Sequence, residues 1–280
     1  MRIYHLASEL RAWSRANRQQ NQLIGLVPTM GALHEGHLSL VRQAKAECTA
    51  VAVSIFVNPT QFGPKEDFAE YPRTFEADCA LLEAEGVDVI FAPQPEEMYP
   101  PGSSTFVEVE GLSQHLDGAS RPGHFRGVAT IVAKLFIAAE PARAYFGQKD
   151  AAQVAVLRRM VADLGLPVGL VACPIVREPD GLAMSSRNRY LNATERQGAL
   201  VLSRAVRRVS AAFLQEGERS SAKLIDIAKQ EFAAEPEVRI DYIVAADWAT
   251  LLPVECVEPG TLFAVAAWVG TTRLIDNAVL

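Results

Sequence analysis

The chain has 280 residues, 49% of them hydrophobic and 21% charged, which is enough apolar material for one large core or two of ordinary size. A formal net charge of -6, spread along the chain without an acidic or basic block, excludes nucleic acid as a general partner and leaves anion binding to local pockets. No apolar run approaches the roughly 20 residues of a membrane span, and Met1-Arg2-Ile3-Tyr4-His5-Leu6 lacks a signal-peptide core, so a soluble cytoplasmic protein is expected. Cys48, Cys79, Cys173 and Cys256 are too far apart for a zinc or redox motif and read as reduced core residues.

An amphipathic segment around Leu6 to Arg18 opens the chain. Gln22 to Val27 then reads as a strand, Leu38 to Glu47 as a helix, and Ala50 to Val57 as a strand rich in β-branched residues. Arg73 to Glu85 is predicted as a helix, Val87 to Ala92 as a strand, Val128 to Ala139 as a helix, Ala142 to Phe146 as a strand and Ala151 to Leu164 as a helix. Such alternation argues for βαβ units on a parallel sheet, which receives ligands beyond the carboxyl ends of its strands. Past Val176 the pattern changes. Arg177 to Asn188 reads as a loop, Ala193 to Leu214 and Ser221 to Ala234 as helices, and Val238 to Ala245 and Thr261 to Val269 as strands. The expected organisation is an α/β domain over 1–176 and a smaller α+β domain over 177–280.

Between the first predicted strand and its helix lies Val27-Pro28-Thr29-Met30-Gly31-Ala32-Leu33-His34-Glu35-Gly36-His37-Leu38. Two of the five histidines stand three residues apart there, a spacing that puts both on one face of a helix. Open N–H groups in the first helical turn and the positive end of the helix dipole favour phosphate. Gly31 and Gly36 let a ligand come close to the backbone. The chain has neither a glycine-rich loop ending in Gly-Lys-Ser/Thr nor a G-x-G-x-x-G, which argues against P-loop and dinucleotide chemistry. His34-Glu35-Gly36-His37 instead resembles the signature of class I aminoacyl-tRNA synthetases and related nucleotidyltransferases, which attack the α-phosphate of ATP and expel pyrophosphate.

Gly181-Leu182-Ala183-Met184-Ser185-Ser186-Arg187-Asn188 resembles the second signature of that superfamily. Two hydroxyls and a guanidinium suit phosphate oxygens and the charge of a leaving pyrophosphate, and the loop reads as a lid. In Tyr145-Phe146-Gly147-Gln148-Lys149-Asp150 a strand ends beside a lysine, a mobile point charge fit for phosphates, while Asp150 suits a helix N-cap. Asn58 and Gln61 follow the Ala50 to Val57 strand at the ligand edge, and Gln153 lies one turn into the next helix. Neutral amides orient hydroxyl and carboxylate groups without neutralising a nucleophilic carboxylate. Arg121 to Val128 brings one imidazole and two guanidinium groups to a helix start, as a substrate contact or a solvated basic loop.

Taken together, Pro28 to His37, Val57 to Phe62, Tyr71 to Thr74, Arg121 to Val128 and Gly181 to Asn188 resemble the pantothenate synthetase (pantoate–β-alanine ligase) family. The resemblance implies a Rossmann-like N-terminal domain binding ATP and pantoate, covered by the C-terminal domain, in a cytoplasmic homodimer. It implies ATP-dependent condensation of (R)-pantoate with β-alanine to pantothenate, AMP and pyrophosphate through a pantoyl adenylate. By motif match, Met30, Gly31, Ala32, Leu33, His34, Glu35, Gly36 and His37 line the nucleotide, with His37 the catalytic proton donor. Gly147, Gln148, Lys149 and Asp150 form a second ATP segment, Val176 faces adenine, and Met184, Ser185, Ser186 and Arg187 close on the phosphates. Gln61 and Gln153 hold pantoate. The family commonly has glutamate where Gln148 stands, and ATP binding is expected to survive that change. Magnesium accompanies ATP. With Asp78 the sole acidic candidate, the ion is expected to be held chiefly by ATP and water, with no protein ligand assigned. Two rival activities are a transferase that moves AMP onto a phosphate ester and a module that senses ATP without turnover.

Overall fold

The segments Ile24–Thr29 and Ala50–Ile55 are almost continuously apolar because they become strands covered on both faces, where polar alternation has no use. In a computed structural model that describes every residue except Lys65 and Asp67, the chain forms two compact units. They are Met1–Gly147 with Val156–Cys173, and Gln148–Ala155 with Pro174–Leu280.

The elements run β1 (Arg2–Tyr4), α1 (Ala7–Gln19), β2 (Ile24–Thr29), α2 (Glu35–Glu47), β3 (Ala50–Ile55), α3 (Phe75–Ala84) and β4 (Val89–Phe91). Two single turns, α4 (Pro95–Met98) and α5 (Asp117–Ser120), precede α6 (His124–Ala139), β5 (Arg143–Gly147), α7 (Ala151–Asp163) and β6 (Gly169–Cys173). The six strands are all parallel, in the order β1-β4-β3-β2-β5-β6. From β2 the chain steps one way through β3 and β4, and β5 and β6 lie on the other side. The order therefore reverses between β2 and β5, and the crevice outside the carboxyl ends of those two strands is the ligand position for this topology. Thr29 and Gly147 are the residues that end there. Val27, Val41, Val51, Val53, Leu82 and Ile90 form the core under α2. On α6, twelve of sixteen residues are buried, the mark of a helix that is apolar nearly all round.

In the second unit α8 (Ala193–Leu214) and α9 (Ser221–Ala233) pack on an antiparallel sheet of β7 (Val238–Ala246), β8 (Leu262–Val269) and β9 (Thr272–Val279), ordered β7-β8-β9. Val201, Leu202, Leu224, Phe232, Phe263 and Val265 are central to this core. Asn192 and Glu195 exchange side-chain to backbone hydrogen bonds of 2.9 Å at the start of α8, a capping box. The α/β and α+β architectures are those expected. Strands β1, β6 and β9 lay outside the expected elements, and α6 starts a full turn before the expected Val128, because Gly123, at φ +83°, opens the helix. Among the described residues no helix is long and apolar enough to cross a membrane.

Candidate active site

Leaving β2 at Thr29, the chain must reverse tightly to enter α2, and it does so through Gly31 at φ +81° and Ala32 at φ +50°. A non-glycine residue in that region needs support. Asp78, 2% exposed on α3, supplies it. Its Oδ2 accepts from the Ala32 N–H at 3.0 Å and its Oδ1 from the Leu33 N–H at 2.8 Å, while the Thr74 hydroxyl donates to Oδ1 at 3.2 Å. A Cβ on Gly31 would sit 3.0 Å from Asp78 Oδ2 and 3.1 Å from Ile55 Cγ2. Both oxygens of the Asp78 carboxylate are thus engaged in holding the turn. Among the described residues no cluster of three His, Cys, Asp or Glu side chains is placed to hold a metal ion.

The turn delivers the two histidines, though not as two positions on one helical face. His34 is the extended N-cap of α2, with φ −142°, and its Nδ1 accepts from the Gly36 N–H at 3.1 Å. His37 stands three residues on, and its Nδ1 accepts from the His34 N–H at 3.4 Å. Their ring centroids are 4.1 Å apart. With both Nδ1 atoms taken as acceptors, the proton of each neutral ring is placed on Nε2. Glu35 points its carboxylate to Arg42.

Gln61 reaches the same turn from the segment after β3. Its Nε2 donates to Met30 Sδ at 2.8 Å, and its Oε1 accepts from Asn58 Nδ2 at 3.2 Å. Asn58, 1% exposed, also donates to the Gly127 carbonyl at 3.1 Å and accepts from the Tyr99 hydroxyl at 2.8 Å and the Thr60 hydroxyl at 3.0 Å. It organises Gln61 from beneath. The Arg121 segment serves the same residue. Arg121 donates to His124 Nε2 at 3.0 Å, so the ring proton lies on Nδ1, which donates to the Gln61 carbonyl at 2.8 Å. Glu66 receives Arg121 through two bonds of 2.7 Å. Burial opposes ionisation of Glu66, but the Arg121 bonds and charge, the Gly63 N–H and His124 outweigh it and hold the carboxyl at about 2.

The second unit holds the remaining expected residues except Gly147, which ends β5 in the first unit. The Met184 N–H donates to the Val176 carbonyl at 3.0 Å, closing a short hairpin in which Arg177 pairs with Ala183. Ser185 caps the turn over Ser186–Tyr190, its Oγ accepting from the Arg187 N–H at 3.3 Å. Ser186 and Arg187 are half-buried beside it. Gln148, Lys149 and Asp150 form a 3-10 turn ahead of α7, Lys149 Nζ lies 3.5 Å from Asp150 Oδ1, and Gln153 sits in the first turn of α7. The structure therefore places Met30 to His37, Gln61 and Gly147 in the first unit, and 148–150, 153, 176 and 184–187 in the second. Sequence reasoning passed over Tyr99, Asp276 and Asn277. The last two carry a signal in retrospect, since an Asp-Asn pair stands between the apolar Leu274-Ile275 and Ala278-Val279 in β9.

A histidine pair at a helix start and a hairpin that leads into two serines and an arginine are groups suited to nucleotide phosphates. The family described as Pantoate-beta-alanine ligase matches residues 2–279. A pantothenate synthetase of Acidobacterium capsulatum is 66% identical over 257 residues, covering 92% of this chain and 86% of that protein. The crystal structure of pantothenate synthetase from Thermus thermophilus superposes with a TM-score of 0.93 at 48% identity, covering 100% of this chain and 99% of the other. A Francisella tularensis pantoate-beta-alanine ligase, complexed with beta-gamma ATP and beta-alanine, follows at 0.81 and 34% identity, covering 100% and 97%. A match that runs from the first strand to the last, at this identity and with the same fold, places the chain in the pantoate–β-alanine ligase family.

Proposed function

We propose that this chain joins (R)-pantoate to β-alanine with ATP as the activating substrate, giving pantothenate, AMP and pyrophosphate through a pantoyl adenylate. A carboxylate is a poor acyl donor until one oxygen becomes a good leaving group. In the first step a pantoate oxygen bonds to the α-phosphorus as the bond to pyrophosphate breaks. In the second the β-alanine amine attacks the acyl carbon, loses a proton, and AMP departs.

One observation carries the reading. At the crevice between β2 and β5, backbone N–H groups occupy Nδ1 of both His34 and His37, which sets the proton of each neutral ring on Nε2, the tautomer that donates to a phosphate oxygen from that edge. His37 is the proton donor of the adenylation step, with His34 beside it, and the Met30 to Gly36 backbone lines the nucleotide. Gly147, Gln148, Lys149 and Asp150 form the second nucleotide segment, Val176 meets the adenine side, and Met184, Ser185, Ser186 and Arg187 grip the phosphates. Gln61 and Gln153 orient pantoate. The amide of Gln61 donates to a thioether, a weak acceptor, so exchanging that partner for a substrate oxygen is favourable. Magnesium comes with ATP and water, with no protein ligand assigned because the Asp78 carboxylate supports the turn, and no step is routed through the ion. The family resemblance further assigns a cytoplasmic homodimer, an ATP- and pantoate-binding domain over 1–176 and a lid over 177–280.

Exchange of labelled pyrophosphate into ATP tests the reading. We expect exchange only when pantoate is present, and AMP released in step with pantothenate once β-alanine is added. Exchange that ignores pantoate, or AMP that ends up on a phosphate ester, overturns it.

A further inference from the structure

Strand β9 carries two neighbouring polar residues, Asp276 at 2% exposure and Asn277 at 3%, in a place where apolar side chains would pack without cost. Consecutive strand residues point to opposite faces. Asp276 lies opposite Val265 of β8, a residue of the helix-covered core, and takes Arg177 in a bidentate pair of 2.6 and 2.9 Å. The same guanidinium donates to the Gly181 carbonyl at 3.1 Å and so fixes the hairpin that leads into Met184–Arg187. Asn277, turned the other way, donates through Nδ2 to the Gln148 carbonyl at 3.0 Å and the Lys149 carbonyl at 2.9 Å, and its Oδ1 accepts from Gln148 Nε2 at 3.3 Å.

We propose that Asp276 and Asn277 are positioning residues for adenylation, wiring the two phosphate-contacting segments to adjacent residues of one strand. The proposal rests on the reading that Lys149 and Ser185 to Arg187 meet ATP. Lys149 is a point charge on a flexible stem, so its main chain must be held for its ammonium to arrive in one place. Stabilisation of a developing pyrophosphate demands donors set to within about half an ångström, which a shared anchor provides. Gln148 belongs to the device. Both Asn277 amide protons are committed to carbonyls, so this amide cannot flip, and its Oδ1 is the atom that accepts from Gln148.

The test is a set of double-mutant cycles on the full chain, read as the KM for ATP and the pyrophosphate exchange rate. We expect Asn277→Ala to raise the KM for ATP about tenfold, the scale of one lost hydrogen bond, and to leave the KM for β-alanine unchanged. Combined with Lys149→Ala it should be far less than multiplicative, because the second change removes what the first displaces. Asp276→Asn should be less than multiplicative with Arg187→Ala and multiplicative with Lys149→Ala. Asn277→Asp, which keeps the volume but sets a carboxylate against the two carbonyls, should raise the KM for ATP in the same direction, and it carries the test if Asn277→Ala does not fold. Normal ATP kinetics in Asn277→Ala or Asn277→Asp, with Lys149→Ala impaired, overturns the clamp alone. Fully multiplicative Asn277 and Lys149 effects overturn it too, showing general stabilisation. Normal ATP kinetics in Lys149→Ala removes the nucleotide reading and the clamp with it.

Discussion

The capping duty of His34 and its proposed duty toward the nucleotide are separable, and its geometry says how to separate them. Its Nδ1 accepts the Gly36 N–H, a duty that asparagine performs as well, whereas only an imidazole offers Nε2–H farther out. His34→Asn is therefore expected to unfold at the wild-type temperature yet to adenylate pantoate more slowly, while His34→Ala should lose about 1 kcal/mol of stability as well. His37→Ala should slow adenylation by roughly 10²-fold or more, the scale of a positioned donor at developing charge. Single-turnover ATP consumption with unchanged rates would remove His37 from the chemistry. Asp78 offers the complementary case. Asp78→Asn replaces an acceptor-only group that receives two N–H groups and a hydroxyl, so stability should drop by about 2 kcal/mol in urea melts. The magnesium concentration needed for half-maximal exchange should stay put, and a shift in it would return Asp78 to the metal. The histidines were legible in the sequence because a cluster of rare residues beside glycine stands out. The capping role of His34 was not, since which residue is the N-cap depends on the two left-handed residues before it.

At the scale of elements, the approach of α6 to the turn that carries Gln61 is set by a glycine. A Cβ on Gly127 would lie 2.3 Å from the Thr60 carbonyl oxygen and 2.6 Å from Gln61 Cα, both backbone atoms that no rotamer change can remove. Gly127→Ala should force the turn off the helix, with a loss of about 1–3 kcal/mol or more as in other overpacked sites. Because Asn58 Nδ2 bonds the Gly127 carbonyl and Gln61 together, the KM for pantoate should rise tenfold or more and that for ATP far less. Steady-state kinetics with each substrate varied in turn decides it, and equal changes in both constants would sever the link to Gln61. Glycine at this position reads in sequence only as a weak helix residue, because the reason for it is a neighbour far off along the chain. Strands show the same limit. β2 and β3 announce themselves by nearly continuous apolar runs, whereas β9 hides because Asp276 and Asn277 give two buried positions to hydrogen bonds. β1 has three residues, too few to show a period.

For the molecule as a whole, the parallel sheet and the smaller α+β unit were both legible, since architecture follows from the order of apolar patterns and these are redundant over many residues. What no pattern encodes is the charge network joining segments distant in sequence, and its signature is the pH dependence of global stability. Glu66 on the loop after β3 is tied by Arg121 to His124 and through it to Gln61. Its carboxyl titrates at about 2 in the folded protein against an ordinary 4.5. The folded value is the lower one, so the unfolded chain binds the extra proton first as pH falls. The stabilisation is then complete above about 4.5 and is lost progressively as pH drops from there toward 2. Compared with Glu66→Gln, the wild type should be the more stable protein by a constant margin from pH 7 to pH 5.5. That margin should narrow continuously below pH 4.5, as urea midpoints measured every half unit would record. Since the two Arg121 bonds also hold the ring that bonds the Gln61 carbonyl, Glu66→Gln should raise the KM for pantoate at pH 7, where its stability deficit is greatest. A margin that stays constant down to pH 3 would mean that Glu66 contributes by packing, and the Arg121 pair would then be no more than a surface contact.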